Sequence, residues 1–420
     1  MTDNTNTKHM SFKDLHLIKP LLKAVAASGY AEPTLVQQRT IPFVLDKKDV
    51  IVSAQTGTGK TAAFALPILQ QLYDKQDAPK KGKKIRALII SPTRELAIQI
   101  QQNFKTYAEF TNLKSLVVFG GASIEPQIDM LKNGVDILVA TPGRLLDLHK
   151  QDYINLDYVE TFVLDEADLM LAMGFIDDVK KIDRLCPEKK QTLLFSATIP
   201  YKIEELANTI LKDPERIDVT PTKSVAKDVS QVLYYVPKQS KIELCLHLMR
   251  NTIEGNVLIF RRTKYGVDKL EETLSKNGFA VNSIHGDKPQ SERQNALNKF
   301  KNGYVKILIA TDVAARGIDI NELDNVLNFD MPNVAETYIH RIGRTGRAGN
   351  TGKAYAMCSA DEKSYVKTIQ NAINVQIPVE TEHPYPLDPK AQPVVHKRQG
   401  SKYKKGRKSE ASKKKKKRWY

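Results

Sequence analysis

Short apolar runs alternate along most of the chain with longer stretches whose apolar residues fall at helical spacing, the pattern of parallel α/β sheets. In the first half, VIVSA (50–54), RALIIS (86–91), LVVFG (116–120), DILVA (136–140), FVLD (162–165) and TLLFSA (192–197) read as strands. The polar stretch TPTKSVAKD (220–228) interrupts the rhythm. It resumes with VLYYV (232–236), NVLIF (256–260), VNSIH (281–285), KILIA (306–310), NVLNF (325–329) and AYAMC (354–358). The economical organisation is a flexible N-terminus (1–11), a first α/β domain (12–219), a linker (220–228), a second α/β domain (229–372) and a tail (373–420). VIVSAQTGTGKTAAF and VLIFRRTKYGVDKL each run from a strand through a polar turn with threonine into a helix, as distant copies would. Only the first carries a glycine loop.

Composition narrows the class. No apolar run approaches the roughly 20 residues that span a bilayer, and MTDNTNTKHMSF lacks the apolar centre of a signal peptide. The expectation is a cytoplasmic protein without membrane contact. Cys186, Cys245 and Cys358 are few, odd in number and far apart, which excludes a disulfide framework and a zinc motif and predicts reduced thiols in or near the core. Charge is uneven: residues 390–420 hold fourteen lysines and arginines against Glu410 alone, +13 of the chain's +16. The body is near neutral, and the tail, with its run Lys413 to Lys417, is expected to be disordered.

Two motifs carry the chemistry. AQTGTGKT (54–61) follows a strand and precedes a helix, the context of a phosphate-binding loop. Gly57 and Gly59 let backbone N–H groups face an anion at the helix N-terminus, and Thr56 and Thr58 complete the loop. Lys60 would reach the β- and γ-phosphates, and Thr61 would offer its hydroxyl to Mg²⁺. The second motif, TFVLDEADLM (161–170), crowds Asp165, Glu166 and Asp168 at a strand end, where a cation must offset them. Mg²⁺ bound to a nucleoside triphosphate supplies it: Asp165 is the expected ligand, direct or through water, and Glu166 is placed to polarise the attacking water.

Asp165-Glu166-Ala167-Asp168 spells D-E-A-D, and residues 12 to 372 resemble a DEAD-box RNA helicase of superfamily 2, most similar to the bacterial RhlE type. The resemblance implies tandem RecA-like domains with parallel sheets and with nucleotide and RNA sites at the interdomain cleft. Within it, GYAEPTLVQ (29–37) makes Gln37 the partner of the adenine edge and Phe12 its stacking ring. SPTREL (91–96), Gly120-Gly121 and TPGR (141–144) resemble RNA-contact motifs, implicating Thr93, Arg94, Thr141 and Arg144 on a sugar–phosphate backbone with no base readout. Ser196 and Thr198 of SAT resemble the residues that couple the acidic motif to RNA; Asp168 is placed with them in coupling, and an arginine or lysine in a neighbouring loop is an equal candidate for its partner. RRTK (261–264), HGDKPQSER (285–293) and ATDVAARGID (310–319) place Arg293 and Thr311 near RNA and Gly317 and Asp319 near ATP. HRIGRTGR (340–347) makes Arg344 and Arg347 arginine fingers. Leu169 and Ala172 depart from the family's charged residues there.

These features together predict an enzyme with ATP as substrate, Mg²⁺ as cofactor and RNA as partner. The expected activity is local, non-processive unwinding or remodelling of structured RNA, such as ribosomal RNA in ribosome assembly or RNA turnover. An ATP-gated RNA clamp or annealing chaperone uses the same motifs, and a DNA-directed motor fits them less well. The expected state is a monomer with ribonucleoprotein or RNA-decay proteins as candidate partners.

Overall fold

A computed structural model describes residues 10–55, 57–73, 84–219, 229–315, 323–346, 352–388 and 390–391. The first sheet comprises β1 (Val50–Ser53), β2 (Ala87–Ile90), β3 (Ser115–Val118), β4 (Ile137–Ala140), β5 (Thr161–Leu164), β6 (Gln191–Ser196) and β7 (Glu215–Asp218), in the order β3-β4-β2-β5-β6-β1-β7. The second holds β8 (Val229–Tyr235), β9 (Val257–Arg261), β10 (Val281–Ile284), β11 (Ile307–Thr311), β12 (Asn325–Asn328), β13 (Gly352–Cys358) and β14 (Val379–Glu380), in the order β10-β11-β9-β12-β13-β8-β14. Counted within its own domain, each sheet runs 3-4-2-5-6-1-7. All pairings are parallel, as expected for tandem RecA-like domains. Central strands such as β2, β4 and β5 are buried along their whole length because helices cover both faces of each sheet. In the first domain one apolar cluster centres on Phe64, Phe104 and Phe195, and another on Phe162, Leu145 and Leu206. The three cysteines are buried.

The shared order corrects one sequence reading. The counterpart of β1 is β8, not β9, and the counterpart of β9 is β2. The turn motifs agree. Thr93 after β2 caps the helix Arg94–Tyr107 by accepting from Leu96 N–H at 3.3 Å, and Thr263 after β9 caps the helix Lys264–Lys276 by accepting from Gly266 N–H at 3.0 Å.

Both seventh strands were invisible in the pattern. β7, sequence ERID, is a charged edge strand in which only Ile217 is buried, and an edge needs no continuous apolar run. β14 lies beyond residue 372, in the part assigned to the tail. Leu233 N–H donates to Pro378 O at 2.8 Å, Ile377 is buried, Tyr385 packs on the core and Leu387 N–H donates to Tyr235 O at 3.0 Å. The segment to residue 388 therefore straps the open edge of β8. The expected linker and the basic run from 392 to 420 lie outside the described residues.

Candidate functional site

β1 delivers the chain into the glycine loop. Gly57 (φ 84°) and Gly59 (φ 92°) both adopt the left-handed conformation that side chains avoid. A Cβ on Gly59 would collide with the Gln37 amide, whose Nε2 donates to Gly59 O at 3.2 Å while its Oε1 accepts from Thr34 N–H at 3.0 Å. Gln37 thus braces the loop and caps its own helix, Leu35–Leu45. Thr58 Oγ1 donates to Gln55 O at 2.8 Å, and Lys60 and Thr61 open the helix Lys60–Tyr73. Thr56 lies outside the described residues.

Lys60, only 4% exposed, crosses to the end of β5, where its Nζ lies 2.8 Å from Glu166 Oε1. Glu166 itself is left-handed (φ 56°), a conformation costing a non-glycine residue on the order of 1 kcal/mol or more. Its N–H donates to Asp165 Oδ1 at 3.1 Å. Burial pushes the Asp165 carboxyl up to about 7 despite nearby Lys60. Burial would also raise Glu166, but Lys60, aided by His340 and Arg344 of the second domain, holds it below the usual range. For Lys60 the penalty of burial is outweighed by Glu166 and Asp165, and its pKa rises.

Asp168 joins Ser196 and Thr198, rather than an arginine or lysine of a neighbouring loop. Its Oδ2 accepts from Thr198 N–H at 3.2 Å and Thr198 Oγ1 at 3.1 Å, and its own N–H donates to Ser196 Oγ at 3.1 Å. Leu169 is buried and Ala172 exposed. Phe12 departs from expectation. It is 5% exposed, with the Tyr30 ring 6.4 Å away at an interplanar angle of 22°. Tyr30 covers it, is itself 42% exposed and has its hydroxyl 3.1 Å from that of Tyr107, so the more open ring of the pair is Tyr30. Its position inside GYAEPTLVQ was the only sequence signal for it.

From the second domain, the helix Ala335–Ile342 carries Arg341, which is fully engaged. Its Nε and Nη2 donate to Asp312 at 2.6 and 2.8 Å, and its Nη1 donates to Asn328 Oδ1 at 2.9 Å. Arg344, buried, follows that helix and acts electrostatically on Glu166 across the domain boundary. Gly317, Asp319 and Arg347 lie outside the described residues. His285 Nε2 sits 2.7 Å from Asp268 Oδ1, a structural pairing.

A separate cleft of 480 Å³ is lined by Thr93, Arg94, Gly120, Thr141 and Arg144 of the first domain and by Gly286, Arg293 and Val313 of the second. A Cβ on Gly121 (φ 70°) would collide with the Arg94 guanidinium, so the glycine makes room for that arginine. Burial and the neighbouring guanidinium groups of Arg293 and Arg144 lower the Arg94 pKa, a local excess of positive charge that suits an anion. Arg144 Nη2 donates to Ala122 O at 2.9 Å, and Thr141 Oγ1 accepts from Gly120 N–H at 3.4 Å. Thr311 ends β11, two residues before Val313. Arg293 is not simply a phosphate ligand: its Nη2 lies 2.9 Å from Glu95 Oε1 of the first domain, both side chains nearly buried. Sequence reading missed Glu95 because an acid beside Arg94 looks like an ordinary first-turn residue.

Among the described residues no helix is long and apolar enough to cross a membrane. Residues 34–206 match the DEAD/DEAH box helicase family and residues 240–349 the helicase conserved C-terminal domain. The chain is 43% identical over 376 residues to the RNA helicase CrhR of Synechocystis, covering 89% of this chain and 75% of that one. It is 43% identical over 361 residues to the DEAD-box ATP-dependent RNA helicase CshA of Bacillus subtilis, covering 86% and 72%. These relatives are of CrhR and CshA type rather than specifically RhlE type. Among solved structures, Mss116p bound to ssRNA and AMP-PNP is similar with a TM-score of 0.82 at 30% identity, covering 90% of this chain and 81% of that one.

Proposed function

The chain belongs to the DEAD-box family of ATP-dependent RNA helicases, and from that premise we propose that it separates short, structured RNA locally, one closure of its two domains per ATP. The observation that carries this reading is the buried Lys60–Glu166 ion pair at 2.8 Å, with the positive charge of Arg344 from the other domain close enough to favour the ionised form of Glu166. A hydrolytic site split in this way is complete only when the domains adjoin, and the arginine-rich cleft is completed by the same approach. ATP and RNA therefore favour one shared arrangement, and each promotes binding of the other.

In the nucleotide site, the loop N–H groups and Lys60 hold the phosphates, Glu166 orients and polarises water, and Arg344 offsets charge on the transferring phosphoryl group. Arg347 is proposed as its companion finger, and Gly317 and Asp319 as further nucleotide contacts. Gln37 reads the adenine edge, and stacking on the base falls to Tyr30 rather than to buried Phe12. Mg²⁺ fits the donor set, since the Asp165 carboxylate is buried and Lys60 is committed to Glu166. Thr61 and Asp165 would hold the ion, which supplies charge neutralisation on the β- and γ-phosphates. Asp168, Ser196 and Thr198 transmit closure between the two sites. Thr93, Arg94, Gly120, Gly121, Thr141, Arg144 and Thr311 hold the RNA backbone, and Arg293 latches the domains through Glu95.

Structured or ribosomal RNA in the cytoplasm, with the chain acting as a monomer, is the physiological setting we assign. The compact body leaves an RhlE-like role as the finer reading. A strand-displacement assay on a short RNA duplex tests the proposal. ATP-dependent release, with hydrolysis stimulated by RNA more than by DNA, is the expected result. ATP-dependent retention or annealing without displacement would favour the clamp reading instead.

A further inference from the structure

Three tyrosines stand far out of the described surface, Tyr201, Tyr265 and Tyr304, and Tyr265 directly follows a lysine that packs on the rim of the cleft between the domains. It is 76% exposed and occupies the second position of the helix Lys264–Lys276. Its neighbour Lys264 leans over Gly286, which lines the cleft: a Cβ on Gly286 would lie 3.6 Å from Lys264 Cε. Lys264 also pairs with Asp287, which fixes its stem against that rim.

The internal repeat sharpens the meaning of this placement. Because β9 is the counterpart of β2, Thr263 corresponds to Thr93, Lys264 to Arg94 and Tyr265 to Glu95. Gly286, two residues past β10, likewise corresponds to Gly120, two residues past β3. In the first domain the cation after the threonine cap packs on the second glycine of the turn, Arg94 against Gly121, whereas in the second Lys264 leans on the counterpart of the first, Gly286, so each turn carries the cation that follows its threonine cap. The first domain spends its next position on the interdomain partner Glu95, whereas the second exposes an aromatic ring beside Lys264; Arg262, three residues earlier, is turned to Glu362 and the Tyr365 ring. A lysine next to an open ring is the chemistry that binds an unpaired nucleotide: charge takes the phosphate and the π face takes the base, without choosing among bases.

We propose that Tyr265 stacks on an unpaired RNA base at the second-domain end of the cleft, extending the single-stranded track by a nucleotide. This rests on the RNA-helicase reading above. The measurement is equilibrium binding of a single-stranded oligouridylate that overhangs the cleft, with a non-hydrolysable ATP analogue, repeated with an abasic site stepped along the strand. The full-length chain should show one position where losing the base weakens binding about 5- to 150-fold, the range for one aromatic–base stack. In Tyr265→Ala that position should fall silent and the intact strand should bind as weakly as the abasic one, while Tyr265→Phe retains the effect. Tyr201→Ala, equally exposed, is the control and should bind like the parent. An identical abasic profile in the parent and Tyr265→Ala would overturn the proposal. If RNA fails to stimulate hydrolysis by the parent, the underlying reading fails first, and the two failures are thereby distinguished.

Discussion

Neutralising Glu95 is expected to loosen the closed arrangement far more than its distance from the phosphates suggests. Its carboxylate and the Arg293 guanidinium meet at 2.9 Å with side chains 5% and 10% exposed, and the contact joins the two domains. In an open arrangement water solvates both groups, so Glu95→Gln costs little there. In the closed one it leaves Arg293 beside Arg94 and Arg144 without its acid. Breaking a buried pair from one side costs about 3–5 kcal/mol, and the lower end applies because a bound phosphate can take part of the excess charge. About 3 kcal/mol is roughly a hundredfold in the closing equilibrium. Dyes on one engineered surface cysteine per domain would report closure by energy transfer, since the native cysteines are buried. Titrating RNA with a non-hydrolysable ATP analogue should show the half-closure point shifted to higher RNA for Glu95→Gln and for Arg293→Gln. The double variant should be little worse than either, because the second change removes a partner already lost. Strict additivity, or an unshifted Glu95→Gln, would refute the latch.

Glu166→Gln keeps the shape of the side chain and loses its charge, so it should still bind nucleotide and RNA while hydrolysis stops; rapid RNA release by this variant after ATP addition would count against closure by binding alone. Arg344→Ala should depress kcat far more than ATP affinity, and a variant with weak binding but normal kcat at saturation would make the arginine a ground-state ligand. Truncation after residue 389 removes the whole +13 stretch and should weaken RNA binding and flatten the slope of log K against log salt by several units, without altering base preference. The pH response of the nucleotide-free chain should carry the mark of Asp165: a carboxyl raised in the folded state binds its proton where the unfolded chain has released it, so its contribution to stability falls as pH rises from the ordinary carboxylate range to neutrality. Asp165→Asn should remove that decline from the difference in melting curves, and a pH-independent difference would contradict it.

Central strands such as β2, β4 and β5 were legible because each is an apolar run buried along its whole length, and the edges β3 and β10 keep two buried residues each in the pattern. The loop Ala54–Thr61 and the acids after β5 were legible because few sequences place such groups at strand ends without a phosphate to meet them. β7 and β14 were not, since β7 buries a single residue and the two-residue β14 buries none, too few to leave a pattern. The pairing of Asp168 with Thr198 and of Arg293 with Glu95 was also hidden, because such contacts join positions far apart in the chain. Phe12 shows the limit of spacing as a guide: the distance to Gly29 was informative, but only packing reveals that Tyr30 lies over it.

The repeated strand order also bears on stoichiometry. Lys241 opens the helix after β8 as Lys60 opens the helix after the β1 loop, and both are almost wholly buried. In the first copy the lysine faces an acid at the end of the fifth strand. In the second it is consumed internally, by Glu362 Oε2 at 2.6 Å and by the carbonyls of Phe329 at 2.8 Å and Met357 at 3.2 Å. There, a glutamate and two main-chain oxygens stand where a phosphate would, and no glycine loop precedes the lysine to welcome one. A duplicated fold thus commits one of its two lysines internally, so equilibrium binding is expected to find one nucleotide per chain, with the second copy serving as the moving jaw that visits the other's ligand.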